Sequence, residues 1–290
     1  MKYSVFTVVT PEYNLEETLS KLKEFGYDGV EWRVKELPKD LTGTETPSYW
    51  GYNRSTVDLE TIEEEAENLK ALAEKYGIEI CALATYLGSK DSEKVEKVLK
   101  AASKMGCPKI RVVAPSYNGS ENYNVILKRT IEEVRVLETL AKKYNVKINM
   151  EMHMGNIIPS ASAAYRLVSN FDSRYIGIIY DTGNIIYEGY EQYKMALEIL
   201  GEYLDHVHVK NARWVEKEKQ EDGTIVWEAQ WAPMDKGQAK FSQVAEALKA
   251  VGYDGYISSE DFSSEATTDE KLKFGLEYIK NKLQKNLPIN

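Results

Sequence analysis

Short β-branched runs alternate with amphipathic helical stretches along the whole chain, and few folds accept that order. Segments 3–9, 29–33, 79–84, 109–114, 147–153, 176–181, 206–210 and 256–260 read as strands. Between them apolar residues recur at helical spacing: Leu15, Leu19, Leu22 and Phe25; Ile62, Ala66, Leu69, Ala73 and Tyr76; Val95, Val98, Leu99 and Ala102; Leu127, Ile131, Val134, Leu137 and Ala141. Thr61 with Glu64 and Thr267 with Glu270 are spaced as capping boxes, and Gly26, Gly77, Gly106 and Gly252 stand where helices should stop. Eight such units in 290 residues predict an α/β protein with a single (β/α)8 TIM barrel, a fold that takes about 250 residues. The competing open, doubly wound sheet loses support because no GxGxxG follows the first strand. An internal echo, GYDGVEW at 26–32 and GYDGYISSE at 252–260, fits one repeated βα unit.

One domain is therefore expected over residues 1–290, with long loops at 35–58 and 211–238. Both follow the C-terminal end of a strand, the face that carries active sites in such barrels. The second reads as a β-hairpin around Asp222-Gly223. Tyr49–Tyr52 in the first loop, with Trp227 and Trp231 in the second, are candidates for covering a bound substrate. The other reading is a contact between copies of the chain, so a homo-oligomer stays open.

Charge and composition exclude several functions. Acidic residues number 46 against 37 basic, giving a net charge of −9, which opposes nucleic-acid phosphates and anionic membranes as partners. No run approaches the roughly 18 apolar residues of a membrane span. The start, MKYSVFTVV, reads as a first strand and not as a cleaved leader. Only two cysteines occur, Cys81 and Cys107, neither in a CxxC, so a reducing cytoplasm is the expected setting.

The chemistry lies in what alternation puts inside. Residues two apart on a strand share a face. Thus Glu31 and Arg33, then Asn149, Glu151 and His153, then His206, His208 and Lys210, then Ser258 and Glu260 form four polar sets opposite apolar ones. Barrel interiors are normally filled with branched apolar groups, and buried charge is costly unless paired or metal-bound. Glu151, Asp181, His208 and Glu260 end successive strands, so three carboxylates and an imidazole converge. Repulsion among the acids is relieved by a divalent cation, and mixed oxygen and imidazole donors suit Mn²⁺, Mg²⁺, Co²⁺ or Zn²⁺. The alternative is a polar network without metal. His206, one layer deeper, reads as a buried hydrogen-bonded histidine. Glu31 reads either as a substrate contact or as an internal ion pair with Arg33. Trp32 faces outward.

The segments GYDGVEWR, NMEMH, YDTGN, HVHVKNAR and GYISSED, with the later turn PMDKG, resemble the sugar isomerase/epimerase family built on the xylose-isomerase-like barrel. The resemblance covers essentially the whole chain. It implies one divalent cation held by Glu151, Asp181, His208 and Glu260, and substrate oxygens touched by His153 and Arg213. Many members carry a histidine where this chain has Asn184, which can bind a hydroxyl but cannot shuttle a proton. The glycine turn reads DKG in place of a GEG-like sequence. Apurinic-site endonucleases share the barrel but use further histidines for three metals, and here no histidine precedes His153.

The expected activity is a metal-dependent isomerisation or epimerisation of a ketose or related keto-compound. Glu151 and Glu260 serve as the acid/base pair, and Lys210 orients a substrate oxygen. A dehydratase acting on a keto-polyol and a non-catalytic sugar-binding barrel are the alternatives. No Gly-rich phosphate loop is visible, which favours a free sugar or polyol-derived substrate.

Overall fold

A computed structural model describes residues 1–38 and 44–285. Its elements, in chain order, are β1 (Lys2–Phe6), α1 (Leu15–Phe25), β2 (Gly29–Lys35), β3 (Val57–Asp58), α2 (Ile62–Tyr76), β4 (Glu79–Gly88), α3 (Ser92–Met105), β5 (Lys109–Val113), α4 (Tyr123–Tyr144), β6 (Lys147–Glu151), α5 (Ala161–Val168), β7 (Ile176–Asp181), α6 (Asn184–Tyr187), α7 (Tyr193–Leu200), β8 (Leu204–Val209), β9 (Asn211–Lys219), β10 (Ile225–Ala232), α8 (Phe241–Ala250), β11 (Tyr256–Ser259) and α9 (Thr268–Lys285). Eight strands pair in parallel in the order β1, β2, β4, β5, β6, β7, β8, β11. The ring closes because β1 pairs with both neighbours, Val5 opposite Val30 on one side and opposite Ser259 on the other. The expected TIM barrel is thus the observed fold.

Alternation sorts the side chains as the pattern requires. Val30, Trp32, Ile148, Met150, Val207, Val209 and Ile257 are buried in the apolar core that the helices share with the strands, while Glu31, Asn149, Glu151, His206, His208 and Ser258 are buried as polar groups. Helix α1 starts at a capping box the sequence reading passes over: Asn14 Oδ1 accepts from Glu17 N and Glu17 Oε2 accepts from Asn14 N. The box at Thr267 and Glu270 is present. The one at Thr61 is not, because Thr61 already has helical angles (φ −106°, ψ −1°), and its carbonyl, not its hydroxyl, receives Glu64 N and Glu65 N. In α4 the buried stripe runs through Ile126, Thr130, Val134, Leu137 and Ala141, so its first turns sit about one residue round from the expected Leu127 and Ile131.

Strand ends differ from expectation where side chains capture the backbone. The first strand stops at Phe6, and Thr7–Val9 turns into a 3-10 helix whose carbonyls at Thr7 and Val8 accept Asn53 Nδ2. The sixth ends at Glu151, two residues before His153. Of the loop at 35–58, residues 39–43 lie outside the described residues; Lys35 extends β2, and Val57–Asp58 adds a short strand beside it. The hairpin at 211–238 is β9 against β10, turning at Gly223 (φ +90°) with Asp222 Oδ1 accepting Thr224 N.

The N-terminal end of the barrel is closed by charge. Asp205 takes Lys147 Nζ at 2.9 Å, Lys109 Nζ at 2.7 Å and Asn149 Nδ2 at 2.7 Å. Burial opposes its charge, but Lys109 and then Lys147 outweigh it and hold the carboxyl well below the usual range. Asp205→Asn is expected to cost about 2–3 kcal/mol at neutral pH, because two part-buried ammonium groups lose their counter-charge. A group with a depressed folded pKa contributes stability above its unfolded pKa. The gap between wild type and variant should therefore shrink as pH falls below about 4, as read by urea unfolding at several pH values.

Candidate active site

The strand ends bring four donors to one point. Glu151 closes β6, Asp181 closes β7, His208 lies near the end of β8 and Glu260 follows β11. One donor atom from each lies within 4.8 Å of all the others. His208 Nδ1 stands 3.3 Å from Glu151 Oε1, 3.6 Å from Asp181 Oδ2 and 3.7 Å from Glu260 Oε2. Donors about 2.1 Å from one ion lie roughly 3.0–3.4 Å apart in octahedral or tetrahedral geometry, so a small contraction would close the set on a cation.

Each donor is aimed from behind. Asp181 Oδ1 accepts Gly183 N at 2.9 Å and Asn184 N at 2.7 Å, which leaves Oδ2 buried without a hydrogen bond and pointing into the cluster. Gly183 is required there: a Cβ would lie 2.4 Å from Lys210 Cγ. Burial opposes the charge of His208, but Glu31, then Asp181 and Glu151, outweigh it and hold the imidazole well above its usual range; its Nε2 stands 2.9 Å from Glu31 Oε2, the carboxylate–histidine arrangement that would turn Nδ1 towards a metal. Glu151 Oε2 accepts from Arg111 Nη1 at 2.7 Å, and its Oε1 accepts from Asn184 Nδ2 at 3.1 Å.

Electrostatics separates the two glutamates. Burial works against the charge of Glu151, but Arg111 and then His208 outweigh it and hold the carboxyl well below the usual range. Glu260 is pushed up to about 7, chiefly by burial and then by its neighbouring carboxylates, against Lys210 and His208. Lys210 Nζ hydrogen-bonds Glu260 Oε2 and lies 3.0 Å from Asp181 Oδ2. Burial lowers its affinity for a proton, but Asp181 and Glu260 more than restore it, so the ammonium stays charged.

Above the cluster opens a cavity of about 510 Å³. Glu151, Glu260, Lys210, Arg111 and His153 supply its polar lining, and Phe6, Trp50, Tyr86, Trp231 and Phe262 its aromatic walls. Phe262 holds the wall together, with ring centroids 5.0 Å from Trp50 and 5.5 Å from Trp231.

The sequence profile of the family described as xylose isomerase-like TIM barrel matches residues 19–282. The chain belongs to that family. This xylose isomerase-like barrel is 28% identical over 158 residues to inosose dehydratase of Lactiplantibacillus plantarum, covering 51% of each chain. The match thus spans about half the length of that curated relative. The fold resembles 3-keto-D-glucoside 4-epimerase of E. coli (TM-score 0.72, 18% identity, covering 97% of this chain and 99% of that one). It equally resembles the IolI protein with a bound zinc atom (TM-score 0.73, 18% identity, covering 100% of both chains).

Within the family's barrel the other expected site residues fall in three places. His153 lines the cavity, with Nδ1 turned 2.7 Å from the carbonyl of Met154. Asn184 is fully buried and holds Glu151 and the Met152 carbonyl, so it acts on the acid and not on the cavity. Arg213 sits off the cavity lining, 3.6 Å from Glu265. Glu31 is neither a cavity residue nor a partner of Arg33: it lies beneath the cluster, bonded to His206 and His208, and Arg33 bonds Thr56 instead. His206 is the buried, hydrogen-bonded histidine expected of it. Of the aromatic candidates, Trp50 and Trp231 reach the cavity, while Trp227 stands 55% exposed on the hairpin. Arg111 escapes the sequence reading. Its one signal is a lone arginine inside the apolar strand KIRVV, paired in register with Asn149.

Proposed function

We propose that this chain is a divalent-metal-dependent enzyme that moves a proton beside the carbonyl of a ketose or related carbohydrate keto-compound, as an isomerase or epimerase. One observation carries the reading: two glutamates in opposed environments meet Asp181 and His208 on the floor of an aromatic-walled cavity of sugar size. Pairs of titratable groups whose surroundings push them apart are the usual acid and base of such sites.

Glu151, Asp181, His208 and Glu260 would hold the metal, which when bound supplies Lewis-acid polarisation of the carbonyl. The residues supply the rest. Glu151 and Glu260 enter from strands three places apart on the ring, so they flank a substrate seated between them. One takes the C–H proton, and the other returns a proton to the opposite face or to the neighbouring carbon. Arg111 and Asn184 fix the Glu151 carboxylate so that no reorientation is needed during transfer. Lys210 donates to a substrate oxygen, and Trp50, Trp231 and Phe262 cover the apolar C–H face and exclude water.

The likeness to inosose dehydratase supports a second reading, in which the same proton abstraction ends in loss of a neighbouring hydroxyl as water. A panel of ketoses and keto-polyols incubated with the metal-loaded protein in deuterated water decides. Labelled epimer or isomer supports the first reading, a dehydrated product the second, and no exchange with any substrate refutes both.

The wall carries its own expected outcome. Trp231→Ala should raise KM about five- to thirtyfold, the equivalent of roughly 1–2 kcal/mol of lost ring contact, whereas Trp227→Ala should leave it unchanged. Steady-state kinetics on whichever substrate the panel identifies checks both.

A further inference from the structure

Two side chains of β8 and its end reach for the same three oxygens. His208 Nδ1 faces Glu151 Oε1, Asp181 Oδ2 and Glu260 Oε2. The ammonium of Lys210 meets the same atoms: it bonds Glu260 Oε2 and stands 3.0 Å from Asp181 Oδ2 and 4.0 Å from Glu151 Oε1. The second oxygens of two of these acids are engaged elsewhere, Asp181 Oδ1 by Gly183 N and Asn184 N, and Glu151 Oε2 by Arg111. A divalent ion that takes this cluster must therefore take the oxygens that the ammonium holds.

Both cannot have them. Three buried carboxylates stay together only if positive charge is set among them. Either cation answers that need, but a dication bound about 2.1 Å from the oxygens would repel an ammonium on the same oxygens strongly, because the site is buried and poorly screened. Lys210 also has somewhere to go. Its backbone is fixed, since Lys210 N donates to Thr182 Oγ1 and that hydroxyl donates to the Lys210 carbonyl. Gly183 packs against Cγ, so movement is left to the outer atoms of the stem. There Nζ already lies 5.1 Å from the ring centroid of Trp231 and 5.3 Å from that of Phe262, the wall assigned above to the substrate. Aromatic faces keep a displaced ammonium in favourable contact while it leaves the acids.

We propose that Lys210 is the resident counter-ion of the cluster: its ammonium holds the three acids together until a divalent ion takes the same oxygens, and is then turned out along Trp231 and Phe262 to face the substrate. Loading is thereby ordered, metal first, because the ammonium that donates to a substrate oxygen is released only when the metal holds the acids. This rests on the metal-dependent reading above and adds to it a residue that opposes the metal. It also gives Lys210 a cost: metal affinity is lower than the four ligands alone would set.

Two measurements that need no turnover test the proposal: calorimetric titration of the chelator-stripped wild type and Lys210→Met with Mn²⁺, and crystal structures of the wild type grown with and without Mn²⁺. Lys210→Met should bind Mn²⁺ at least tenfold more tightly, having no ammonium to displace. Stripped of metal it should melt below the wild type, and Mn²⁺ should raise its Tm by more. In the wild type, Nζ should bond Asp181 and Glu260 without Mn²⁺ and stand out of hydrogen-bond reach of both with it. A cation that merely stands nearby would weaken metal binding without moving, so the pair of structures separates the two cases. If Lys210→Met does not fold, that pair decides alone. Mn²⁺ binding no tighter in the folded variant, or Nζ still on the acids in the loaded structure, overturns the proposal. When Mn²⁺ nonetheless sits on Glu151, Asp181, His208 and Glu260, the metal-dependent reading stands and this one falls. No saturable Mn²⁺ binding by either protein overturns both.

Discussion

Glu260→Gln should lower turnover by about 10²–10⁴-fold while the barrel stays folded, because general acid–base groups contribute on that scale. The amide keeps an oxygen for the metal and removes only the proton-carrying capacity, so metal affinity should drop far less than turnover. Glu260 is the sharper choice of the two glutamates. Its carboxyl is bonded only to Lys210 among the described residues' side chains and stays free of a guanidinium, whereas Arg111 holds Glu151 by one oxygen. Single-turnover kinetics with metal content measured on the same sample is the check. A variant that turns over a confirmed substrate at near wild-type rate with full metal occupancy would sink the acid/base assignment.

Asp181→Ala should abolish retention of the divalent ion, with affinity lower by at least about 100-fold, since even second-shell changes cost 10–100-fold. The side chain is held by two backbone N–H groups at one oxygen and offers the other to the cluster. Thermal unfolding provides a readout independent of activity. Binding to the native state alone stabilises by about 2.7 kcal/mol at 100 times the dissociation constant, so Mn²⁺ should raise the Tm of the wild type and leave that of the variant where it is. An equal upward shift in both proteins would place the cation elsewhere.

Much of this site can be read before any coordinates exist. Period-two alternation in the strands sends Glu151, His208 and Glu260 inward, and their position at strand ends puts them on one face of the ring. What alternation cannot give is partnership across the barrel. Glu31 and Arg33 share a strand face two residues apart, yet Glu31 bonds histidines 175 and 177 positions away, because the interior is narrow enough for strands three places apart on the ring to touch. Arg111 stays hidden for a related reason: one arginine among valines and isoleucines looks like an edge residue until its register with β6 shows it beneath Glu151. Loops fare worst. Trp227 and Trp231 stand four apart on β10, and only the twist of the hairpin and its landing on α6 decide that the second faces the cavity.

The closed lower end of the barrel has a consequence for isotopes. Beneath the three acids and His208 lie Glu31, His206, Ser4 and Ser258, all at 0% exposure, and beneath them the Asp205 cluster. Among the described residues, solvent therefore meets the carboxylates through the cavity mouth. With a substrate seated under Trp50 and Trp231 that mouth is covered, and a hydrogen lifted from carbon has nowhere to wash out before it is handed back. In deuterated water the recovered substrate should then stay poor in label while the epimer, protonated by the other glutamate, carries it, and the contrast should grow as the ligand fills the opening more completely.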